Sequence, residues 1–82
     1  MPRMYFVYVL QSLRDPEHYY VGLTTDVDRR LNEHNAGENT STAKLRPWKV
    51  IVTVSFEKLW KAERFEKYLK SGSGRAFCNK HF

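Results

Sequence analysis

The chain lacks most of the features that mark secreted, metal-clustered or membrane-borne proteins. Its 82 residues hold one cysteine, Cys78, so no disulfide can close within the chain and no cysteine-rich metal site exists. A chain of that kind suits a reducing compartment, and the expectation is a cytoplasmic protein. His18 and His81 have no companions at metal-ligand spacing, which argues against a zinc site. The apolar run near the start, Tyr5–Leu10 (YFVYVL), is six residues long, too short for a signal peptide. It is far short of the ~20 residues that span a bilayer as a helix. There is no internal repeat, no low-complexity segment, and no added zinc finger or helix-turn-helix. A chain this short has room for one core, so residues 1–82 are expected to form a single domain.

What is present is positive charge and aromatic surface. Fourteen Lys and Arg against nine Asp and Glu leave a net charge of +5. That balance fits a polyanionic partner such as nucleic acid, and equally an ordinary basic protein. Aromatics make up 15% of the chain and partly offset its small size, since each buried ring removes about 150–250 Å² from water.

The order of elements can be read directly. Tyr5–Leu10 is a continuous β-branched and aromatic run, as in a strand covered on both faces. Gln11–His18 is a polar loop with Asp15-Pro16 as its turn, and Tyr19–Leu23 is a second strand that can pair antiparallel with the first. Thr25 offers an N-cap oxygen for a helix reaching about Asn35, with Asp26 and Asp28 at its positive end and Gly37 just beyond its close. Glu38–Pro47 reads as an exposed loop. Trp48–Phe56 reads as the clearest strand and puts Trp48, Val50, Val52, Val54 and Phe56 on one face, with Lys49, Ile51, Thr53 and Ser55 on the other. Glu57–Ser71 is a second long helix, Ser71–Gly74 breaks it, and Arg75–Phe82 forms a last turn or short helix. The fold class is α/β, a small three-stranded antiparallel or mixed sheet flanked by helices in ββαβα order.

Both helices place charge where apolar residues belong. Val27, Arg30, Leu31 and His34 share one stripe; Val27 and Leu31 must face the sheet, so Arg30 and His34 sit at its border while Arg29 points to solvent. On the later helix, Ala62, Phe65 and Leu69 define the buried stripe and Glu66 falls inside it. A carboxylate taken out of water costs several kcal/mol unless paired or bound to a metal. Glu66 either snorkels, bridges Arg30 as a structural pair, or converges with Arg30 on a cleft that Tyr8 and Tyr20 also line. Gly22 marks a bend, or a place where something approaches the backbone closely.

Taken together these residues resemble the GIY-YIG nuclease domain. Phe6-Val7-Tyr8 stands for the GIY triplet and Tyr20-Val21-Gly22 for YIG, with eleven residues between Tyr8 and Tyr20. Arg30 follows ten residues after Tyr20, His34 four after that, and Glu66 lies in A-x-x-x-E-K-x-L-K, Ala62 to Lys70. The tail from Lys70 to Phe77 is similar to small stand-alone bacterial members. Phe6 replaces the leading glycine, and Leu23 stands where excision-repair members carry lysine.

The resemblance implies a DNA endonuclease that hydrolyses phosphodiesters with one divalent cation, Mg²⁺ or Mn²⁺. Tyr8, helped by Tyr20, would activate or position the water, and Arg30 would hold the phosphate, for which a bidentate cation is suited. Glu66 would be the single metal ligand, and His34 would assist proton transfer or phosphate binding. One carboxylate leaves most of the Mg²⁺ coordination sphere to phosphate and water, as that ion prefers. Gly22, Lys44, Arg46 and Asn79 are candidate substrate contacts; Lys44 and Arg46 flank the long loop, and Asn79 is the candidate for a family asparagine. The loop at Ser71–Arg75 is either a plain linker or a donor of backbone N–H groups to phosphate. Tyr5 and Tyr19 point to the opposite face and read as packing residues. The expected partner is single-stranded, branched or nicked DNA, engaged as a monomer or weak homodimer, with a partner protein for targeting and a place in DNA repair or processing. The competing reading is a non-catalytic nucleic-acid binder on the same fold; a module for an uncharged partner fits the +5 charge least well.

Overall fold

The middle of the sheet is the segment with the longest apolar run. In the computed structural model, which describes residues 3–82, β1 (Tyr5–Ser12) lies between β2 (Tyr19–Thr24) and β3 (Trp48–Phe56), antiparallel to both. Val7, Tyr8, Val9 and Leu10 are all buried, because side chains on both faces of β1 meet helices or neighbouring strands. On one face, Val7, Val9 and Val21 pack with Ala62 and Leu69 of α3 (Leu59–Lys70) and Cys78 of α4 (Gly72–His81). Tyr5 and Tyr19 join this side, as the strand alternation requires. On the other face, Tyr8, Leu10 and Trp48 pack with Val27 and Leu31 of α1 (Val27–Asn35) and with Leu45. This is the expected α/β layer, a three-stranded antiparallel sheet with helices on both sides.

Three local expectations are corrected. The first helix is capped by Asp26, whose carboxylate accepts from the Arg29 N–H at 3.1 Å, while the Thr24 hydroxyl accepts the Asp26 N–H at 3.0 Å. Thr25 therefore lies one residue outside the cap. The loop 38–47 contains a helical turn, α2 (Thr40–Ala43), capped by the Asn39 side chain and holding Thr42 fully inside. Its polar composition hid a tertiary element. Only Ser71 separates α3 from α4; its hydroxyl accepts the Gly74 N–H at 3.2 Å, so Gly72 to Gly74 start a helix and are not a linker.

Strand β3 does not keep one apolar face. Leu10 pairs with Val50, but Val9 pairs with Val52, so Ile51 is an extra residue and the side-chain alternation reverses there. Trp48 and Val50 consequently pack beside Tyr8 and Leu10, while Val52 and Phe56 cover the Val7 and Val9 side. The bulge brings Trp48 under α2, where its indole N–H donates to the Thr42 carbonyl at 2.9 Å. Asn35 locks the same corner: its side-chain oxygen accepts the Trp48 N–H at 2.6 Å and its amide donates to the Trp48 carbonyl at 3.1 Å. No helix among the described residues is long and apolar enough to cross a membrane.

Candidate active site

Tyr8, Tyr20 and His34 meet on the α1 side of the sheet. Tyr8 comes from β1 and Tyr20 from β2; His34 comes from the last turn of α1, reached because the Asp26 cap sets the helix phase. The Tyr20 and His34 rings lie 4.7 Å apart between centroids, and Tyr8 and Tyr20 lie 6.4 Å apart. The Tyr8 hydroxyl is 3.1 Å from His34 Nε2, and His34 Nδ1 is 2.8 Å from Thr42 Oγ1. His34 is wholly buried and so sits deeper than the border position its stripe suggested. Tyr8 is only 1% exposed, so of the two phenols it is Tyr20 that is partly open to solvent.

Arg30 completes this face. Its guanidinium donates to a Glu33 carboxylate oxygen at 2.6 Å and lies against the Tyr8 phenol. Burial pushes the Tyr8 phenol above its ordinary range, and Arg30 pulls it back through hydrogen bonding and charge, while Tyr20 and Glu66 push it up. The imidazole of His34 is held below its usual range, first by burial and then by the charge of Arg30, with Glu33 opposing. His34 is therefore a neutral base next to a phenol that keeps its proton. Arg29 is the solvent charge the helix phase implied.

Glu66 comes from α3, the helix that packs on the Val7 and Val9 side of the sheet. Its carboxylate is 24% exposed and pairs with Lys70, one turn on, at 3.1 Å. It neither bridges Arg30 nor stands free. The Lys70 ammonium in turn sits 6.0 Å from the centre of the Tyr20 ring, which brings α3 to the free edge of β2. Glu66 and Arg30 thus both act on the Tyr8 phenol, the one raising and the other lowering its affinity for the proton. The pair with Lys70 was open to view in the sequence as an i,i+4 spacing; Thr42 carried no such signal.

Gly22 is not a bulge. It pairs with Tyr8 in an unbroken ladder, and a Cβ on it would overlap the Tyr8 hydroxyl and ring. The close approach is made by Tyr8 itself, so Gly22 serves the site by making room for the ring.

Two clefts flank the aromatic cluster. One, of about 350 Å³, is lined by Arg30, Glu33, His34 and the turn around Asn39. The exposed Arg46 side chain overlies Gly37 next to that turn; Gly37 adopts φ +81°, a conformation a Cβ would strain, and stays bare beneath the guanidinium. The other cleft, of about 520 Å³, runs along the β2 edge between Tyr20 and Lys70 on one side and Arg75 and Asn79 on the other. Asn79 thus lines the larger cleft, while Arg46 lines neither and stands over Gly37 beside the smaller one. Lys44 is exposed, and its carbonyl accepts from Arg14 at 3.2 Å. Among the described residues no three His, Cys, Asp or Glu side chains gather as a metal site, and Glu66 is the carboxylate that acts on Tyr8.

The element order, with tyrosines on the two paired strands, an Arg/His pair on the first helix and a glutamate on the helix after β3, is that of a small ββαβα catalytic domain. The family model described as the GIY-YIG catalytic domain matches residues 4–80, and the chain belongs to that family. It is 39% identical over 75 residues to the structure-specific endonuclease subunit SLX1 of Meyerozyma guilliermondii, covering 84% of this chain and 25% of the relative. The subunit of the same name from Yarrowia lipolytica is 40% identical over 76 residues, covering 84% and 26%. The chain thus spans about a quarter of the length of these fungal relatives. The solution NMR structure of a UPF0213 protein from Bacillus halodurans is similar with a TM-score of 0.55 and 29% identity, covering 94% of this chain and 83% of that one.

Proposed function

We propose that this chain is a divalent-metal-dependent endonuclease that hydrolyses DNA phosphodiester bonds, selecting structured or single-stranded DNA in repair or processing. The observation that carries the reading is the Tyr8–His34 contact at 3.1 Å with the Arg30 guanidinium against the same phenol. Packing alone does not call for a buried neutral base, a phenol and a cation at one point. The fungal relatives named above as structure-specific endonuclease subunits add weight to it.

The chemistry follows from the groups present. Water attacks phosphorus, its oxygen forming the new P–O bond as the bond to the leaving oxygen breaks with its electron pair, and the leaving oxygen takes a proton from solvent water to depart as an alcohol. The water proton moves to the Tyr8 oxygen, and the proton Tyr8 carries moves to His34 Nε2. A phenol with pKa near 10 is a poor base alone, and this relay removes the need for a free phenolate. Arg30 neutralises charge that grows on the phosphoryl oxygens, and Tyr20 orients the water from the partly open side. Glu66 fits a divalent cation as a single carboxylate ligand able to leave Lys70, and Mg²⁺ or Mn²⁺ held there would supply charge neutralisation at the phosphate. Arg46 on one side and Lys70, Arg75 and Asn79 on the other hold the flanking nucleotides. Lys44 adds phosphate contact at the loop edge.

The test is incubation with labelled single-stranded, duplex and branched DNA, with and without Mg²⁺ or Mn²⁺. Metal-dependent cleavage that Glu66→Ala and Arg30→Ala abolish is expected. Cleavage by Glu66→Ala at the wild-type rate would overturn the reading. The enclosure of Tyr8 favours one alternative, a nucleic-acid binder on the same fold, and salt-dependent binding without cleavage is its signature.

A further inference from the structure

Thr42 is a hydroxyl held fully inside the protein at the end of a hydrogen-bonded chain that begins at Tyr8. Its Oγ1 lies 2.8 Å from His34 Nδ1, while the Asn39 carbonyl, 3.3 Å away, already accepts the Thr42 and Ala43 N–H groups. The direction of the chain is set at its other end. The buried Tyr8 hydroxyl has as neighbours His34 Nε2 at 3.1 Å and the Arg30 guanidinium, which can only donate. The phenolic proton therefore goes to Nε2, which must be bare. A neutral imidazole has a single N–H, which places the hydrogen on Nδ1, where the Thr42 oxygen accepts it.

We propose that Thr42 is a positioning residue that fixes His34 as the Nδ1–H tautomer, leaving Nε2 as the acceptor for the proton of Tyr8. The catalytic meaning of this rests on the nuclease reading; the tautomer itself does not. With the opposite tautomer, Nε2–H would donate to Tyr8 and the relay would have no place for the incoming proton. The fold builds the geometry with care for this one turn. Asn39 caps it, the Trp48 indole holds the Thr42 carbonyl at 2.9 Å, and Asn35 holds the backbone of Trp48. The ionisable groups facing His34 are Tyr8, Tyr20, Arg30 and Glu33, with Glu66 acting on Tyr8 from α3. None of them offers Nδ1 a partner; Thr42 alone does so.

The experiment reads the ring nitrogens of His34 by long-range ¹⁵N–¹H NMR near neutral pH, with cleavage kinetics alongside. Wild type and Thr42→Ser are expected to show the Nδ1–H tautomer. Thr42→Val, which keeps the shape and loses the hydroxyl, is expected to show a mixture or the Nε2–H form. Its kcat should fall at least about tenfold with KM within about twofold, and Thr42→Ser should recover most of the loss. An Nε2–H tautomer in wild type overturns the proposal, as does wild-type kcat in Thr42→Val. If Thr42→Val does not fold, the wild-type tautomer and the serine variant still decide. A wild-type protein that cuts no DNA but shows Nδ1–H removes the nuclease reading and leaves the tautomer assignment standing.

Discussion

The Tyr8 hydroxyl lies over Gly22, its cross-strand partner, so closely that no side chain fits between them. One glycine thus sets where the phenol ends, and with it the contact to His34 on α1. Both tyrosine motifs of the chain are one packing unit.

Gly22→Ala is expected to destabilise the protein by about 1–3 kcal/mol, the usual cost of forcing extra volume into a packed site. Urea denaturation measures this. In a Tyr8→Leu background the same substitution should cost much less, because the overlapping ring is gone. Equal costs in both backgrounds would mean that the strain lies in the β2 backbone.

Stability should depend on pH through His34. Its folded pKa lies below the unfolded value of about 6.5, so the unfolded chain binds the proton more readily. The contribution of His34 is therefore fully present above about pH 6.5 and is lost as the pH falls toward the folded value. Urea midpoints recorded from pH 8 to pH 5 should fall on the acid side, and His34→Gln should flatten that limb. A limb unchanged by the substitution assigns the titration to another group.

Glu66 allows stability and activity to be separated. Its partner Lys70 is 51% exposed, and pairs so open to water contribute about 0–1 kcal/mol. Lys70→Ala and Glu66→Gln should each leave the denaturation midpoint close to wild type, while Glu66→Gln abolishes cleavage. A loss of several kcal/mol with cleavage retained would make Glu66 a structural residue.

How much of this was legible in the sequence varies by element. The three strands, the two long helices and the stripe of Val27, Arg30, Leu31 and His34 follow from periodicity, because local pattern and tertiary burial agree there. Helix α2 does not, since Leu45 is the one large apolar residue in ENTSTAKLRP and lies outside the helical turn; what holds the turn is Asn39 at its cap and Trp48 beneath it. The reversal of faces on β3 left one trace, Ile51 as an apolar residue on the polar face, but that residue alone does not distinguish a bulge from a partly covered strand face. Those two features are connected: the bulge turns Trp48 toward α2, and α2 places Thr42 on His34. The family residues were readable, and the residues that orient them were not.

The two clefts make a final prediction about how DNA crosses the molecule. Arg46 flanks the smaller one and Arg75 lines the larger, with the Tyr20 and His34 rings between the two clefts. A strand whose scissile phosphate sits at Arg30 would place nucleotides in both directions against these two cations. Each phosphate neutralised on single-stranded DNA contributes about 0.7 to the slope of log affinity against log salt. Arg46→Ala and Arg75→Ala should therefore each flatten that slope by about 0.7, and the double variant by about twice as much. Arg64 is the control: it lies over the Trp60 ring, on the α3 face turned away from the sheet, and Arg64→Ala should leave the slope unchanged. Measuring the slopes by fluorescence anisotropy in Ca²⁺ or EDTA keeps cleavage out of the reading. A slope that responds to Arg64 and not to Arg46 or Arg75 would move the DNA to the outer face of α3 and leave the clefts without a ligand.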